Sequence, residues 1–345
     1  MIFSCPFNLN GTANRVLWEV TSLCNMKCAH CLYYPSLEHK LERDISTEEV
    51  ASIVEQMRVD GTIDQVWLSG GEPLLRPDIL QIVGFISDAG MKPSVSTNGY
   101  LVSEKMATSL KSNGVDYVHL SVDGVNAQQH DNFRNKKGAF DHVLSAADNL
   151  LDVGIVVGAT CIVTWNNIDD MERLVCLSLA HKIKVLSFYM VEPLGRGKAF
   201  NSRLDIKLMM TLREQFFKLR KKYESQLRLE LFRTAGVAQD ALDQCRCFKF
   251  YTITNDGRLG GCPWLMKTEH FNYSVSLRDT TFSDARHKVR HNLESLLRKR
   301  VVDLSCCTNC QLNSSCGKGC IAVSGNDGTD PLCSYAIKRA AYAVG

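Results

Sequence analysis

The chain has 345 residues, of which 45% are hydrophobic and 22% charged, with a formal net charge of +3 at pH 7. This length allows one large or two modest domains, and the mixed charges give no indication of a nucleic-acid or membrane-surface partner. No stretch is long and apolar enough for a membrane span, and the first residues lack a secretory signal. We therefore expect a soluble protein in the cytoplasm.

Strands and helices alternate over the first 200 residues. Residues 15–21 alternate in polarity and predict a first strand, and Ser46 with Glu49 forms the capping-box pattern that begins a helix. Further strands are predicted at 65–69, 92–96, 116–122, 155–164 and 185–191, and further helices near 77–89, 104–113, 140–153 and 168–181. Six strands with intervening helices predict an α/β fold with a parallel sheet, either open or closed into a partial barrel.

The second part of the chain has a different composition. Residues 202–235 are mostly charged and predict helix, as a last barrel helix, a linker helix or both. From Cys245 onward cysteines dominate and the strand–helix alternation is lost. We therefore divide the chain into a barrel at 1–200, a helical linker at 201–244 and a small cysteine-rich domain at 245–345.

Three cysteines, Cys24, Cys28 and Cys31, follow the first predicted strand, with three and then two residues between them. The chain has 15 cysteines, and clustered cysteines in a long chain without a secretory signal indicate metal ligation. Three thiolates complete neither a four-ligand zinc site nor the four corners of a cubane cluster. They can hold three irons of a [4Fe–4S] cluster and leave the fourth open; a zinc knuckle or buried free thiols are the alternatives.

The CxxxCxxC spacing resembles that of the radical S-adenosylmethionine (SAM) superfamily. The resemblance implies a curved (β/α)6 partial barrel over roughly residues 12–200. It also implies a [4Fe–4S] cluster whose open iron binds the amine and carboxylate of SAM, and a one-electron cleavage of SAM to a 5′-deoxyadenosyl radical. His30 stands where an aromatic residue is frequent in this superfamily.

The segment Gly70-Gly71-Glu72 follows the second predicted strand. Glycines let backbone approach a ligand closely, and Glu72 adds an anionic acceptor. In the superfamily the matching segment binds the amino group of SAM. An ordinary turn is the alternative for this short pattern.

Polar residues near the ends of later strands are further candidates for SAM contacts. The resemblance implies contacts at Ser121 and Asp123, which lie at the end of the fourth strand, and backbone contacts to the adenine near Met190. Arg134 matches an arginine that follows the fourth strand in this branch of the superfamily, and its guanidinium is suited to pair with the SAM carboxylate. Turn chemistry, helix capping and an ordinary ion pair are the alternatives.

The late cysteines resemble the SPASM pattern, named after subtilosin, pyrroloquinoline quinone, anaerobic sulfatase and mycofactocin maturation. The resemblance implies two auxiliary [4Fe–4S] clusters, the first bound by Cys247, Cys262 and Cys320 and the second by Cys307, Cys310, Cys316 and Cys333. Cys245 lies two residues before Cys247, so either could begin the pattern or both could bind one cluster. Zinc is the alternative, because four-cysteine zinc sites share these spacings.

The resemblance leads to three functional hypotheses. The first is a peptide maturase that makes a crosslink, an oxidation or an epimerisation, and the second is a tetrapyrrole-tailoring or other small-molecule enzyme. A remote third, an iron–sulfur electron carrier, would not need Gly70-Gly71-Glu72. Pro263-Trp264 follows Cys262 where anaerobic sulfatase maturases carry an aspartate base, which argues against formylglycine formation.

Two partners are expected besides the substrate. Cleavage of SAM needs an electron, which we expect from a ferredoxin or flavodoxin. Few residues precede the first predicted strand, so recognition of a leader peptide would need a separate protein. No catalytic acid or base is assigned from the sequence.

Overall fold

The computed structural model describes residues 15–32, 43–191, 194–203, 206–232, 251–268 and 272–301. Its strands are β1 (Arg15–Thr21), β2 (Gln65–Gly70), β3 (Lys92–Thr97), β4 (Tyr117–Ser121), β5 (Val156–Val163), β6 (Val185–Met190), β7 (Arg228–Phe232), β8 (Tyr251–Ile253), β9 (Arg258–Gly260) and β10 (Val275–Ser276). Its helices are α1 (Thr47–Asp60), α2 (Ile79–Asp88), α3 (Glu104–Ser112), α4 (Ala127–Arg134), α5 (Ala139–Asp152), α6 (Met171–Ala180), α7 (Ile206–Tyr223) and α8 (Phe282–Val301).

The described strands form one sheet in the order β10-β9-β8-β1-β2-β3-β4-β5-β6-β7. From β1 to β7 each strand pairs in parallel with the next one along the chain. A helix lies in every connection between these strands, as is usual for parallel crossovers. The predicted α/β repeat of six strands is therefore confirmed.

The helical prediction over residues 202–235 was correct for α7 and wrong for β7. β7 pairs with β6 along Val185–Tyr189 and becomes a seventh parallel strand. Its sequence, Arg-Leu-Glu-Leu-Phe, alternates in polarity, but it directly follows a long charged helix. α4 was also not predicted, and it begins at Asn126, whose side chain accepts a hydrogen bond from the Gln129 amide.

The late part of the chain joins the same sheet. β8 pairs in parallel with β1, with Val16 opposite Tyr251, and β9 and β10 add antiparallel strands beyond it. α8 packs beside α1, where the Phe282 amide donates to Gln56 Oε1 at 2.8 Å. The sheet thus extends into the range 245–345, and the three-part division of the chain stays a prediction.

The two faces of the sheet differ in polarity. Alternate strand residues such as Val16, Trp18 and Leu120 join the helices in one hydrophobic core. The opposite face carries buried polar residues, namely Glu19, Ser94, His119, Ser187 and Thr252. A parallel sheet covered by helices on both faces is apolar on both, so this polar face suits a space that receives a polar ligand.

His119 is a fully buried histidine on the polar face. Its Nδ1 lies 3.0 Å from Tyr117 Oη and its Nε2 lies 2.5 Å from Thr160 Oγ1. Burial lowers the pKa of His119 to about 4, although the backbone of Ala159 opposes the shift. The ring is therefore neutral at neutral pH.

The depressed pKa of His119 predicts a loss of stability in acid. A histidine in the unfolded chain titrates at ~6.5. The free energy of unfolding therefore carries no penalty from His119 above that pH, and it falls as the pH drops toward ~4, by up to ~1.4 kcal/mol per pH unit. His119→Gln should flatten this pH dependence of denaturant unfolding between neutral pH and acid. Equal slopes in the variant and the unaltered protein would contradict the prediction.

Among the described residues, no helix combines the length and the hydropathy needed to cross a bilayer.

Candidate active site at the ends of the parallel strands

The cysteine triplet lies in the loop after β1, at the carboxyl-terminal edge of the parallel strands. Cys24 is exposed, Cys28 is buried and Cys31 is half-buried, and all three are free thiols. The loop backbone is bound from two sides. The Ala29 amide donates to Phe133 O at 2.9 Å, and the Arg196 amide donates to Cys31 O at 3.0 Å. Three cysteines of one short loop are thus presented where active sites of parallel β/α folds lie.

The two glycines after β2 bring that strand against the cysteine loop. The Gly71 amide donates to Thr21 O at 2.8 Å, and the Glu72 amide donates to Leu23 O at 2.7 Å. A Cβ at Gly71 would lie 2.1 Å from Leu23 O, and one at Gly70 would lie 2.3 Å from Thr21 O. The close approach that these glycines permit is therefore to the backbone of the loop that carries the cysteines.

Glu72 is a buried carboxylate, 1% exposed, that binds the loop after β3. Its Oε1 accepts from Thr97 Oγ1 at 2.7 Å and from the Leu74 amide at 3.1 Å, while its Oε2 accepts from the Asn98 amide at 2.8 Å. Burial raises the pKa of Glu72, and these hydrogen bonds oppose the shift. A carboxylate oxygen can accept two bonds, so Oε2 retains capacity for one more donor, as an ammonium group would require.

Asp123 and Arg134 form a buried ion pair. Arg134 Nε and Nη2 each lie 2.7 Å from Asp123 Oδ2, and Arg134 Nη1 lies 3.8 Å from Cys28 Sγ. Burial alone would raise the pKa of Asp123, but the Arg134 guanidinium outweighs it and holds that pKa below its ordinary value. The arginine expected to pair with the SAM carboxylate thus pairs here with Asp123.

Two histidines lie beside this ion pair, and neither was predicted as a site residue. His30 stacks on Phe133 with ring centroids 4.7 Å apart, and His130 Nδ1 accepts from the Asp123 amide at 3.2 Å. Burial lowers the pKa of each to about 4. His30 Nδ1 and His130 Nε2 are buried without a hydrogen-bond partner among the described residues. The position of His30 beside Cys31 was the only signal in the sequence.

Ser121 and Met190 end β4 and β6 at the same edge of the sheet. Ser121 is half-buried, and Met190 is buried, 2% exposed. The backbone beyond each strand end is bonded to β5, because the Val122 amide donates to Thr160 O and the Val191 amide donates to Val163 O. The structure brings both residues to the strand ends, and their contacts with SAM stay a prediction.

Cys262 is the one late cysteine that the structure describes. It is buried, and its amide donates to Tyr273 Oη at 3.2 Å. The turn after it carries Lys267, whose Nζ lies 2.6 Å from Glu19 Oε2 on the polar face of β1. The other predicted ligands lie outside the described residues, namely Cys245, Cys247, Cys307, Cys310, Cys316, Cys320 and Cys333.

The donor set of the triplet fits an iron–sulfur cluster. Within the described ranges, no group of three or more His, Cys, Asp or Glu side chains could hold a single metal ion. A cubane cluster takes one thiolate at each iron, so its cysteines need not converge on one ion. Although Cys24 is exposed at the surface, partial desolvation by the surrounding loop raises the pKa of its thiol to about 11, and burial raises the pKa of Cys28. Only a strong local positive charge, such as a bound metal centre, would make these thiols ligate as thiolates at neutral pH.

Comparison with curated proteins gives two informative relatives. The chain is 35% identical to the Fe-coproporphyrin III synthase of Methanosarcina barkeri over 192 residues, which are 55% of this chain and 47% of that protein. It is 30% identical to the mycofactocin maturase MftC of Mycolicibacterium smegmatis over 181 residues, which are 52% of this chain and 45% of that protein. The chain thus spans about half the length of these curated relatives.

Solved structures share the fold. SuiB of Streptococcus suis, crystallised with S-adenosylmethionine and with the precursor peptide SuiA, matches with a TM-score of 0.75 and 15% identity in both complexes. Each match covers 93% of this chain, and 77% or 76% of the SuiB chain. Residues 18–180 match the family described as the radical SAM superfamily. The chain is therefore similar to the radical SAM superfamily over residues 18–180, a range that holds the cysteine loop and strands β2 to β5.

Proposed function

We propose that this protein cleaves SAM reductively and uses the resulting radical to abstract a hydrogen atom from a carbon of its substrate. When bound, the [4Fe–4S] cluster and SAM supply the electron transfer and the radical. The observation that carries the proposal is the loop of Cys24, Cys28 and Cys31, which is bonded directly to the Gly71-Glu72 segment. Cluster ligands and a carboxylate acceptor thus lie at one edge of the sheet.

Each site residue has a defined role in this proposal. Cys24, Cys28 and Cys31 hold three irons. Glu72 Oε2, which has one donor in Asn98, would accept a hydrogen bond from the SAM ammonium group. Ser121 and the backbone near Met190 contact the ribose and adenine. These assignments follow the family resemblance and the placement of all these residues at the strand ends.

The triplet gives the direct test of this function. Replacing Cys24, Cys28 and Cys31 together with alanine should abolish 5′-deoxyadenosine formation in anaerobically reconstituted protein reduced with dithionite, because no thiolate would remain to hold the irons. Cys176→Ala is the matched control, since this exposed cysteine lies on α6. Undiminished 5′-deoxyadenosine from the triple variant would refute the assignment.

For the substrate we propose a peptide or protein, modified by crosslinking, oxidation or epimerisation. The support is the similarity to a mycofactocin maturase over the radical SAM region and the shared fold with SuiB, which was crystallised with a precursor peptide. A tetrapyrrole is the second candidate, because the identity to an Fe-coproporphyrin III synthase is 35%. Single-turnover assays with Fe-coproporphyrin III and with precursor peptides from neighbouring genes, followed by mass spectrometry, separate the two classes.

We further propose a cytoplasmic protein that takes its electron from a ferredoxin or flavodoxin. A peptide substrate with a leader would then be delivered by a separate recognition protein. The electron donor follows from the proposed chemistry, since the chain needs one low-potential electron for each cleavage. Replacement of dithionite by reduced flavodoxin in the assay tests the first, and co-purification with a peptide-binding protein tests the second.

We propose two auxiliary [4Fe–4S] clusters in the range 245–345. One is bound by Cys247, Cys262 and Cys320, and the other by Cys307, Cys310, Cys316 and Cys333, as the SPASM resemblance implies. The first set has three cysteines, so this cluster is either closed by Cys245 or open at one iron. A closed cluster would carry electrons away from an oxidised product, whereas an open iron could bind substrate.

Iron content distinguishes these arrangements. At four irons per cubane, the reconstituted chain should bind ~12 irons, and ~4 when the late cysteines are replaced. Cys245→Ala should lose one cluster's iron if Cys245 closes the cluster, and none if the cluster is open. Zinc together with a single cluster's iron in the whole chain would contradict the proposal.

A further inference from the structure

The guanidinium of Arg134 lies between a carboxylate and a cluster cysteine. Nε and Nη2 both bind Asp123 Oδ2 at 2.7 Å, and Nη1 points to Cys28 Sγ at 3.8 Å. The Arg134 side chain is 8% exposed and that of Asp123 is 0% exposed. Water therefore screens this triad of charges very little.

Asp123 is itself fixed by the neighbouring strand. Its Oδ1 accepts from the Ile162 amide at 2.7 Å, and its own amide donates to His130 Nδ1 at 3.2 Å. Both carboxylate oxygens are thus engaged, one by backbone and the other by Arg134. Asp123 holds Nε and Nη2 of Arg134, and the remaining nitrogen, Nη1, faces Cys28 Sγ.

Burial of this pair is costly to folding. Removing two opposite charges from water costs several kcal/mol per ion by general estimates, and an apolar replacement of similar size is often at least as stable. The contact with the sulfur of Cys28 gives the pair an effect that an apolar replacement would lack. Hydrogen bonds to cluster sulfurs and nearby positive charge favour the reduced cluster, which is more negative.

We propose that Asp123 and Arg134 are positioning residues that set the reduction potential of the SAM-binding cluster through Cys28. Arg134 supplies an N–H and a positive charge to the sulfur, and Asp123 both aims the guanidinium and offsets part of its charge. This inference rests on the proposed cluster on Cys24, Cys28 and Cys31. It gives Asp123 and Arg134 a role toward the protein's own thiolate instead of a direct contact with SAM.

Substitutions of Arg134 and of Asp123 should shift the reduction potential of the cluster in opposite directions. In the full reconstituted chain, the cluster whose EPR signal changes on addition of SAM is titrated against potential. Arg134→Gln should make this cluster harder to reduce, with roughly a tenfold lower ratio of reduced to oxidised cluster at a fixed potential, or ~59 mV for one electron. Asp123→Asn should make it easier to reduce, because the amide still accepts from the Ile162 amide while the charge of Arg134 is no longer offset.

A second arginine–aspartate pair, in which Arg76 is buried and Asp78 is half-buried, is the control. Arg76 Nε lies 2.7 Å from Asp78 Oδ1, and Arg76 Nη1 donates to Val20 O at 2.6 Å. The hydrogen bonds of Arg76 in the described part of the chain go to Asp78 and to the backbone oxygens of Val20 and Ile45, and none goes to a cysteine. Asp78→Asn should leave the potential unchanged, since this pair fixes backbone and not sulfur.

If Arg134→Gln does not fold, Arg134→Lys is the second variant. Lysine keeps the positive charge, but a single ammonium cannot reach both Asp123 and Cys28. We therefore expect a smaller shift of the reduction potential in the same direction. Shifts of equal sign in the Asp123 and Arg134 variants, or no shift with full iron content, would overturn the role of the pair alone. Absence of any SAM-responsive cluster in the unaltered protein would instead defeat the proposed function, and the role of the pair with it.

Discussion

Gly71→Ala is expected to detach the cysteine loop from the sheet and to lower the iron content of the reconstituted protein. An alanine Cβ at this position would lie 2.1 Å from Leu23 O and 2.9 Å from Ser22 O. Both obstacles are backbone atoms that cannot rotate away, so the loop must move as a unit. Overpacking of this kind typically costs about 1–3 kcal/mol, and here the strain falls on the segment that carries Cys24.

The control for this variant is another glycine in the same half of the chain. Gly84→Ala places its Cβ 3.5 Å from Asn113 Oδ1, an ordinary contact, inside helix α2. Alanine is favoured over glycine in a helix by about 0.5–1 kcal/mol, so this variant should be at least as stable as the parent. Thermal unfolding and iron analysis of both proteins provide the measurement. Full iron content in Gly71→Ala would show that the close approach is not required.

Lys267→Met is expected to destabilise the protein strongly because it leaves Glu19 buried and without its cation. Glu19 is 1% exposed, and its Oε1 already lacks a hydrogen-bond partner among the described residues. Removing one partner of a buried ion pair typically costs about 3–5 kcal/mol, whereas replacing both can be neutral. Glu19→Gln combined with Lys267→Met should therefore recover much of the loss.

Denaturant unfolding of the two single variants and the double variant measures this coupling. Lys222→Met is the surface control, since Lys222 and Glu172 form an exposed pair and such pairs contribute little. Additive effects of the Glu19 and Lys267 changes would contradict the coupling. The experiment also reports on the turn after Cys262, because Lys267 connects that turn to β1.

The sequence predicted the strands and the cysteine loop because both signals are local. Alternating polarity located β1, the repeat of strand and helix segments located β2 to β6 within a few residues, and the spacing of Cys24, Cys28 and Cys31 indicated an iron–sulfur ligand set. β7 was missed because the helical pattern before it is long and charged. Its strand character depends on pairing with β6, which no local pattern shows.

The partners of the site residues were not accessible from the sequence. Arg134 had a carboxylate eleven positions before it in Asp123, but many surface pairs have that spacing, and only burial distinguishes this one. The contact of Gly71 with the cysteine loop likewise depends on the register between β1 and β2. The family resemblance predicted which residues lie at the strand ends, but their contacts became known only from the structure.

The pairing of β8 with β1 has a consequence for how the chain reaches its native state. β1 lies inside the finished sheet, between β2 and β8, yet its partner Tyr251 is separated from Val16 by most of the chain. During synthesis one side of β1 stays an unpaired edge until β8 has left the ribosome, and such edges are prone to intermolecular pairing. The base of the cysteine loop that follows β1 is therefore paired on both sides only after β8 has been synthesised.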